Sequence, residues 1–161
     1  MFKKLFVPSD DSDLTHMALL VARLWFGLSM LFNHGFAKFA HYSDIVSQGT
    51  FPDPLRLGPE ASLIMVIMAE VLGALLLTVG LMTRVAAAVL VIDMFVAFLM
   101  VNKTAMIGQA GGEILSGQGN GELAFLYLAG FALLTIAGGG LFSLDTLVFG
   151  KTGRSSIQQK N

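Results

Sequence analysis

The sequence predicts an all-α membrane protein, a bundle of four transmembrane helices. Three observations carry that prediction. Charged residues make up 13% of the 161-residue chain and hydrophobic residues 55%, whereas a soluble domain carries about 25% charged residues. Apolar runs recur four times, each close to the roughly 20 residues that cross a bilayer core of about 30 Å. The two central runs, Ala61 to Leu81 and Val85 to Val101, are separated by the short polar hinge Thr83-Arg84. So short a connection makes them a helical hairpin, with one carboxylate, Glu70 or Asp93, near the middle of each arm.

In chain order, residues 1–13 read as a cytoplasmic lead. Lys3 and Lys4 precede only Leu5-Phe6-Val7 before Pro8, too short an apolar core for a signal peptide. Ser9 to Asp13 supplies hydroxyls and carboxylates suited to a helix start. The first span covers Leu14 to Phe39, with Arg23 inside and Asn33-His34-Gly35 and Lys38 toward its far end. A polar loop, Ala40 to Pro59, is punctuated by Gly49, Pro52, Pro54 and Gly58. The hairpin follows, over Glu60–Leu81 and Val85–Val101. A glycine-rich loop, Asn102 to Gly121, leads to the fourth span, Leu123 to Phe142, whose Gly138-Gly139-Gly140 should end or loosen the helix. The tail 150–161 is polar and is expected to be disordered. One membrane domain, 14–149, accounts for the rest.

Four spans put both termini on one side. That side, with the hinge, carries Lys3, Lys4, Arg84, Lys151, Arg154 and Lys160; the other carries Lys38, Arg56 and Lys103. The excess of positive charge places both termini in the cytoplasm and the two long loops outside. The absence of cysteine excludes thiol–disulfide chemistry and iron–sulfur ligation within this chain. A formal net charge of −1 offers no basic stripe to nucleic acid.

Three groups of polar residues stand out. Counted from the span ends at about 1.5 Å per residue, Arg23 lies roughly 14 Å deep, close to the level of Glu70 and Asp93. Ionisable groups at that depth face the bundle interior and pair with one another. The expectation is an Arg23–Glu70–Asp93 layer with one negative charge in excess, so that one carboxyl holds a proton or another cation joins. The alternative is an ion network that fixes helix register and does no chemistry. A second group, His34, Lys38, Asn102 and Glu122, gathers at the outer helix ends as a candidate ligand-binding mouth; its bland alternative is a rim of interfacial anchors. The third is a cytoplasmic pair, Arg84 with Asp145. No two histidines share a depth on facing helices, so neither a two-histidine haem nor a metal site is read.

Taken in order, these residues resemble the DoxX family of small four-span membrane proteins. The matching pieces are Arg23-Leu24 with Gly27, His34-Gly35 and Lys38, and Glu70 with Gly73. Then come Gly80-Leu81-Met82-Thr83-Arg84, Asp93-Met94 with Ala97, Gly119-Asn120-Gly121-Glu122, and Ser143-Leu144-Asp145. Ala74 stands where a second glycine is frequent in that family. The resemblance implies an inner-membrane, multi-pass bundle. Some members are linked to quinone-coupled oxidation of thiosulfate, others to membrane assemblies that handle oxidative or thiol stress.

The function read on these grounds is a membrane redox-associated subunit that binds a quinone headgroup or relays protons. It would sit in the lipid bilayer beside another membrane or periplasmic protein, or a second copy of itself. The alternatives are a non-catalytic structural or assembly subunit and a small proton-coupled transporter.

Overall fold

The computed structural model describes residues 12–101 and 121–149. Among them every regular element is helical. The first long helix runs as α1 (Ser12–Met30), a π-helical turn (Leu31–Gly35) and α2 (Phe36–Ala40). A short α3 (Tyr42–Gln48) follows, then α4 (Pro59–Val79), α5 (Thr83–Val101), α6 (Gly121–Ala137) and α7 (Leu144–Phe149). Two helices are long and apolar enough to cross a membrane, Asp13–Ala40 and Pro59–Val79; Leu123–Ala137 is a shorter apolar helix.

The local signals act where they stand. Pro59 takes the first turn of α4, where a missing N–H costs nothing, directly after Gly58 with its positive φ. Asp53 organises that entry: its carboxylate accepts the N–H groups of Leu57 and Gly58 and the Ser62 hydroxyl. Burial favours the protonated acid there, but these donors outweigh it and hold the carboxyl below its ordinary range. At its other end α4 stops in a left-handed turn at Gly80 (φ 74). The Gly80 N–H reaches the Leu77 carbonyl and the Leu81 N–H the Leu76 carbonyl, the paired closing bonds of a glycine cap.

α4 packs against α1 on one side and α5 on the other, and α6 packs against α5 and α1. Small residues let the helices approach closely. A Cβ on Gly73 would meet Leu90 Cγ at 3.1 Å, and Gly130 lies under the Phe26 ring. Ala74, Ala86 and Ala87 are buried between Met30, Leu77, Leu90, Met94 and Phe131. Large apolar side chains line the outside instead, with Trp25 72% and Leu133 68% exposed. That pattern inverts the soluble rule and suits a lipid-facing surface.

Several boundaries differ from the sequence expectation. The turn between α4 and α5 falls at residues 80–82, where Gly80 and Met82 take positive φ, and Thr83-Arg84, expected as the hinge, form the first turn of α5. The fourth long helix ends at Ala137, not Phe142, because Gly138 adopts φ 80 and Gly140 φ 71. The segment read as a loop, Ala40 to Pro59, contains the helix α3.

Candidate functional site

Glu70, on α4, is 1% exposed. Its partner is Lys38, on α2: Lys38 Nζ donates to Glu70 Oε1 at 2.5 Å and to Oε2 at 2.7 Å. The Lys38 side chain is 25% exposed, so the pair is entered from one side. Two features bring the ammonium there. Gly35 lets the first helix lie against the backbone of α4, its absent Cβ 3.3 Å from Val71 N and 3.4 Å from the Glu70 carbonyl carbon. A helical side chain also leans toward the helix N-terminus, so Lys38 reaches back about one turn to the carboxylate.

Asp93, on α5, faces the same pair, and its carboxyl interacts electrostatically with both Glu70 and Lys38. Its Oδ2 is buried and has no hydrogen-bond partner among the described residues. Glu70 and Asp93 each lie roughly 15 Å from the turn between α4 and α5, at about 1.5 Å per residue. His34, one turn before Lys38, is half-buried and edge-on to Tyr127, ring centroids 5.2 Å apart. Tyr127 shares a 2.5 Å hydroxyl contact with Ser29, which also accepts from Asn33 Nδ2 at 3.2 Å.

Arg23 does not join this layer. It is 1% exposed and lies against Gly80 at the α4–α5 turn, donating through Nη2 to the Phe142 carbonyl. The physical reason is helix length. The first helix, Asp13–Ala40, is 28 residues, or about 42 Å at 1.5 Å per residue, and exceeds the roughly 30 Å that a bilayer core needs. Its first turns extend past the α4–α5 turn, which puts Arg23 level with that turn and carries Lys38 inward.

Arg84 and Asp145 are brought to one junction without an ion pair between them. The Asp145 carboxylate accepts the backbone N–H groups of Met82 (2.6 Å) and Thr83 (2.9 Å), serving as a cap for α5 from a distant part of the chain. The Asp145 N–H closes the link by donating to the Gly80 carbonyl at 2.9 Å. Burial works against the ionised form of Asp145. The Thr83 and Met82 N–H groups and the Arg23 charge outweigh it and hold the carboxyl below its ordinary range. Arg84 is exposed and lies beside Gly138. Ser143, buried, donates to the Gly140 carbonyl at 2.7 Å and fixes the glycine turn.

Of the proposed outer mouth, His34 and Lys38 lie on one helix face one turn apart, and Lys38 reaches into the interior. Asn102 and the Glu122 side chain lie outside the described residues, as does the tail from Gly150. Sequence reasoning missed Tyr127 and Ser29. Tyr127 had a signal, as one of only two tyrosines in the chain and the one inside an apolar run. Among the described residues no group of three His, Cys, Asp or Glu side chains could hold a metal ion.

The DoxX family model matches residues 18–103, which include Arg23, His34, Lys38, Glu70 and Asp93. The chain is also similar to a protein of Haemophilus influenzae described as uncharacterized, 31% identical over 124 residues that cover 76% of this chain and 84% of the relative. No solved structure matches. The family match extends over half of the sequence and holds both members of the buried ion pair, and the chain accordingly belongs to the DoxX family of membrane-associated proteins.

Proposed function

We propose that this protein is a four-span inner-membrane bundle with both termini cytoplasmic, that it serves as a redox-associated subunit beside a partner protein, and that Lys38, Glu70 and Asp93 form its proton-relay site. The observation that supports the relay is the composition of the cluster. One ammonium binds both oxygens of a buried carboxylate, and a second carboxylate with a buried, unpartnered oxygen faces them. Fully ionised, the three side chains carry one negative charge in excess. In a low-dielectric interior that excess is relieved by taking up one proton.

Lys38 stays the common counter-ion, and the proton resides on whichever carboxyl the ammonium does not hold. Release and uptake then need only an exchange of partners by one long, flexible side chain. His34, one turn away and half-buried, is the group suited to pass the proton onward. The redox association rests on the family resemblance, and a quinone headgroup at the His34 end is the ligand that resemblance supplies. A non-catalytic subunit would hold the same cluster with a fixed proton.

Infrared difference spectroscopy of the protein in lipid, titrated across neutral pH, separates these readings. A protonated-carboxyl band that appears reversibly, and that Asp93→Asn removes or moves, supports the relay. A spectrum with no titrating carboxyl would make the cluster a register device.

A further inference from the structure

We propose that the protein forms a two-fold dimer in the membrane along its first long helix, with Asn33 of each copy facing Asn33 of the other. Asn33 lies in the π turn of Asp13–Ala40 and its side chain is exposed. Its Nδ2 donates to Ser29 Oγ, whose hydroxyl is already engaged with Tyr127. Among the described residues no hydrogen bond reaches the Asn33 carbonyl oxygen. An exposed amide is ordinary on a soluble protein. Within a membrane-spanning helix it faces hydrocarbon, where an unpaired amide costs free energy and side-chain amides hold helices together.

The occupant follows from depth and from chemistry. Whatever covers Asn33 must offer a donor and an acceptor at the same distance from the bilayer surface. An asparagine amide offers both. A second copy related by a two-fold axis along the membrane normal places its own Asn33 at that depth with no further requirement, and the contact is self-complementary. A different partner would need its own polar residue at a matching level. The surroundings permit the approach: Ala37 follows Asn33 by one turn on the same side and is exposed. The exposed rings of Phe32 and Phe36, 5.8 Å apart, flank the strip and supply apolar contact.

The cysteine-free chain allows a clean test. Ala37→Cys keeps the amide and should cross-link to a disulfide dimer when native membranes are oxidised. Leu133→Cys, on the exposed face of α6, should not. Adding Asn33→Leu to Ala37→Cys should reduce the dimer at least several-fold, while Asn33→Gln, which keeps an amide, should retain most of it. Equal yields at the two cysteines would overturn the proposal. So would a yield indifferent to Asn33→Leu, or a cross-link from Ala37→Cys to a different protein in place of a second copy.

Discussion

Lys38 Nζ lies 2.5 Å from Glu70 Oε1 and 2.7 Å from Oε2, joining the first long helix to α4 inside the bundle. The two partners are unequally buried, Glu70 at 1% and the Lys38 side chain at 25% exposure. Removing the cation strands a carboxylate that water cannot reach. Lys38→Met should therefore destabilise the protein by about 3–5 kcal/mol, the usual cost of breaking one side of a buried pair. Lys38→Met combined with Glu70→Leu should recover most of that loss, because the one carboxyl left in the cluster, Asp93, can take up a proton and leave no buried charge. Thermal melting of the single and double variants in detergent checks both outcomes.

Asp145 makes an acid-sensitive joint. Its folded carboxyl titrates below the unfolded value of about 3.9. A group depressed in this way adds stability that is fully present above the unfolded pKa and is lost as pH falls through the folded one. Melting temperature should therefore fall below about pH 4, and part of that fall should vanish in Asp145→Asn. At neutral pH Asp145→Ala should cost about 1–2 kcal/mol, as for the loss of a helix cap.

The two helices long and apolar enough to cross a membrane were legible because run length and bilayer thickness are a direct match. The hinge was legible only as a break in the apolar run: the turn falls at residues 80–82, where Gly80 takes a positive φ, and Thr83-Arg84 open α5. The junction of Ser143-Leu144-Asp145 with the Gly80–Arg84 turn was legible as a shared surface. Its chemistry was not, since backbone N–H groups, which no sequence displays, took the carboxylate in place of Arg84. The cation at Glu70 was missed for a similar reason. Depth was counted from the apparent helix ends, and a 28-residue helix leaves its vertical register open. Lys38, expected in the candidate mouth at the outer helix ends, leans inward because of helix side-chain direction. The π turn between the two cations was also invisible to a reading built on a uniform 3.6-residue period.

Gly80 should tolerate no side chain. Its φ of 74 is strained for any L residue, and a Cβ there would collide with the Arg23 guanidinium and lie 2.8 Å from Ser143 Cβ. Gly80→Ala should abolish accumulation in membranes. Gly49, also at positive φ but with open space around it, should accept alanine with a loss of about 1 kcal/mol. Expression level by immunoblot and melting temperature distinguish the two sites.

Orientation is checked by labelling. Under the proposed topology Ser47, exposed in α3, faces outward and Ser155 inward. A cysteine at Ser47 should react with a membrane-impermeant reagent in intact cells, and one at Ser155 only after permeabilisation. The reverse pattern would invert the assignment drawn from lysine and arginine counts.

The last prediction separates the two carboxyls. Glu70 holds the ammonium with both oxygens, whereas Asp93 has a buried oxygen without a partner. With both ionised, two carboxylates share one ammonium, and the one that Lys38 does not hold is the surplus charge. Asp93→Asn removes the surplus charge and leaves the Lys38–Glu70 pair intact, so it should be neutral or raise the melting temperature. Glu70→Gln removes the direct partner of Lys38. The ammonium must then turn to Asp93, and stability should fall by about 1–3 kcal/mol if it reaches only part of that carboxylate. In Glu70→Gln, adding Asp93→Asn should now be strongly destabilising, because Lys38 loses its remaining counter-ion. A double-mutant cycle reads this as a coupling between positions 70 and 93 that opposes additivity. Additive effects would mean that Lys38 cannot exchange between the two carboxylates, and the relay would lose its moving part.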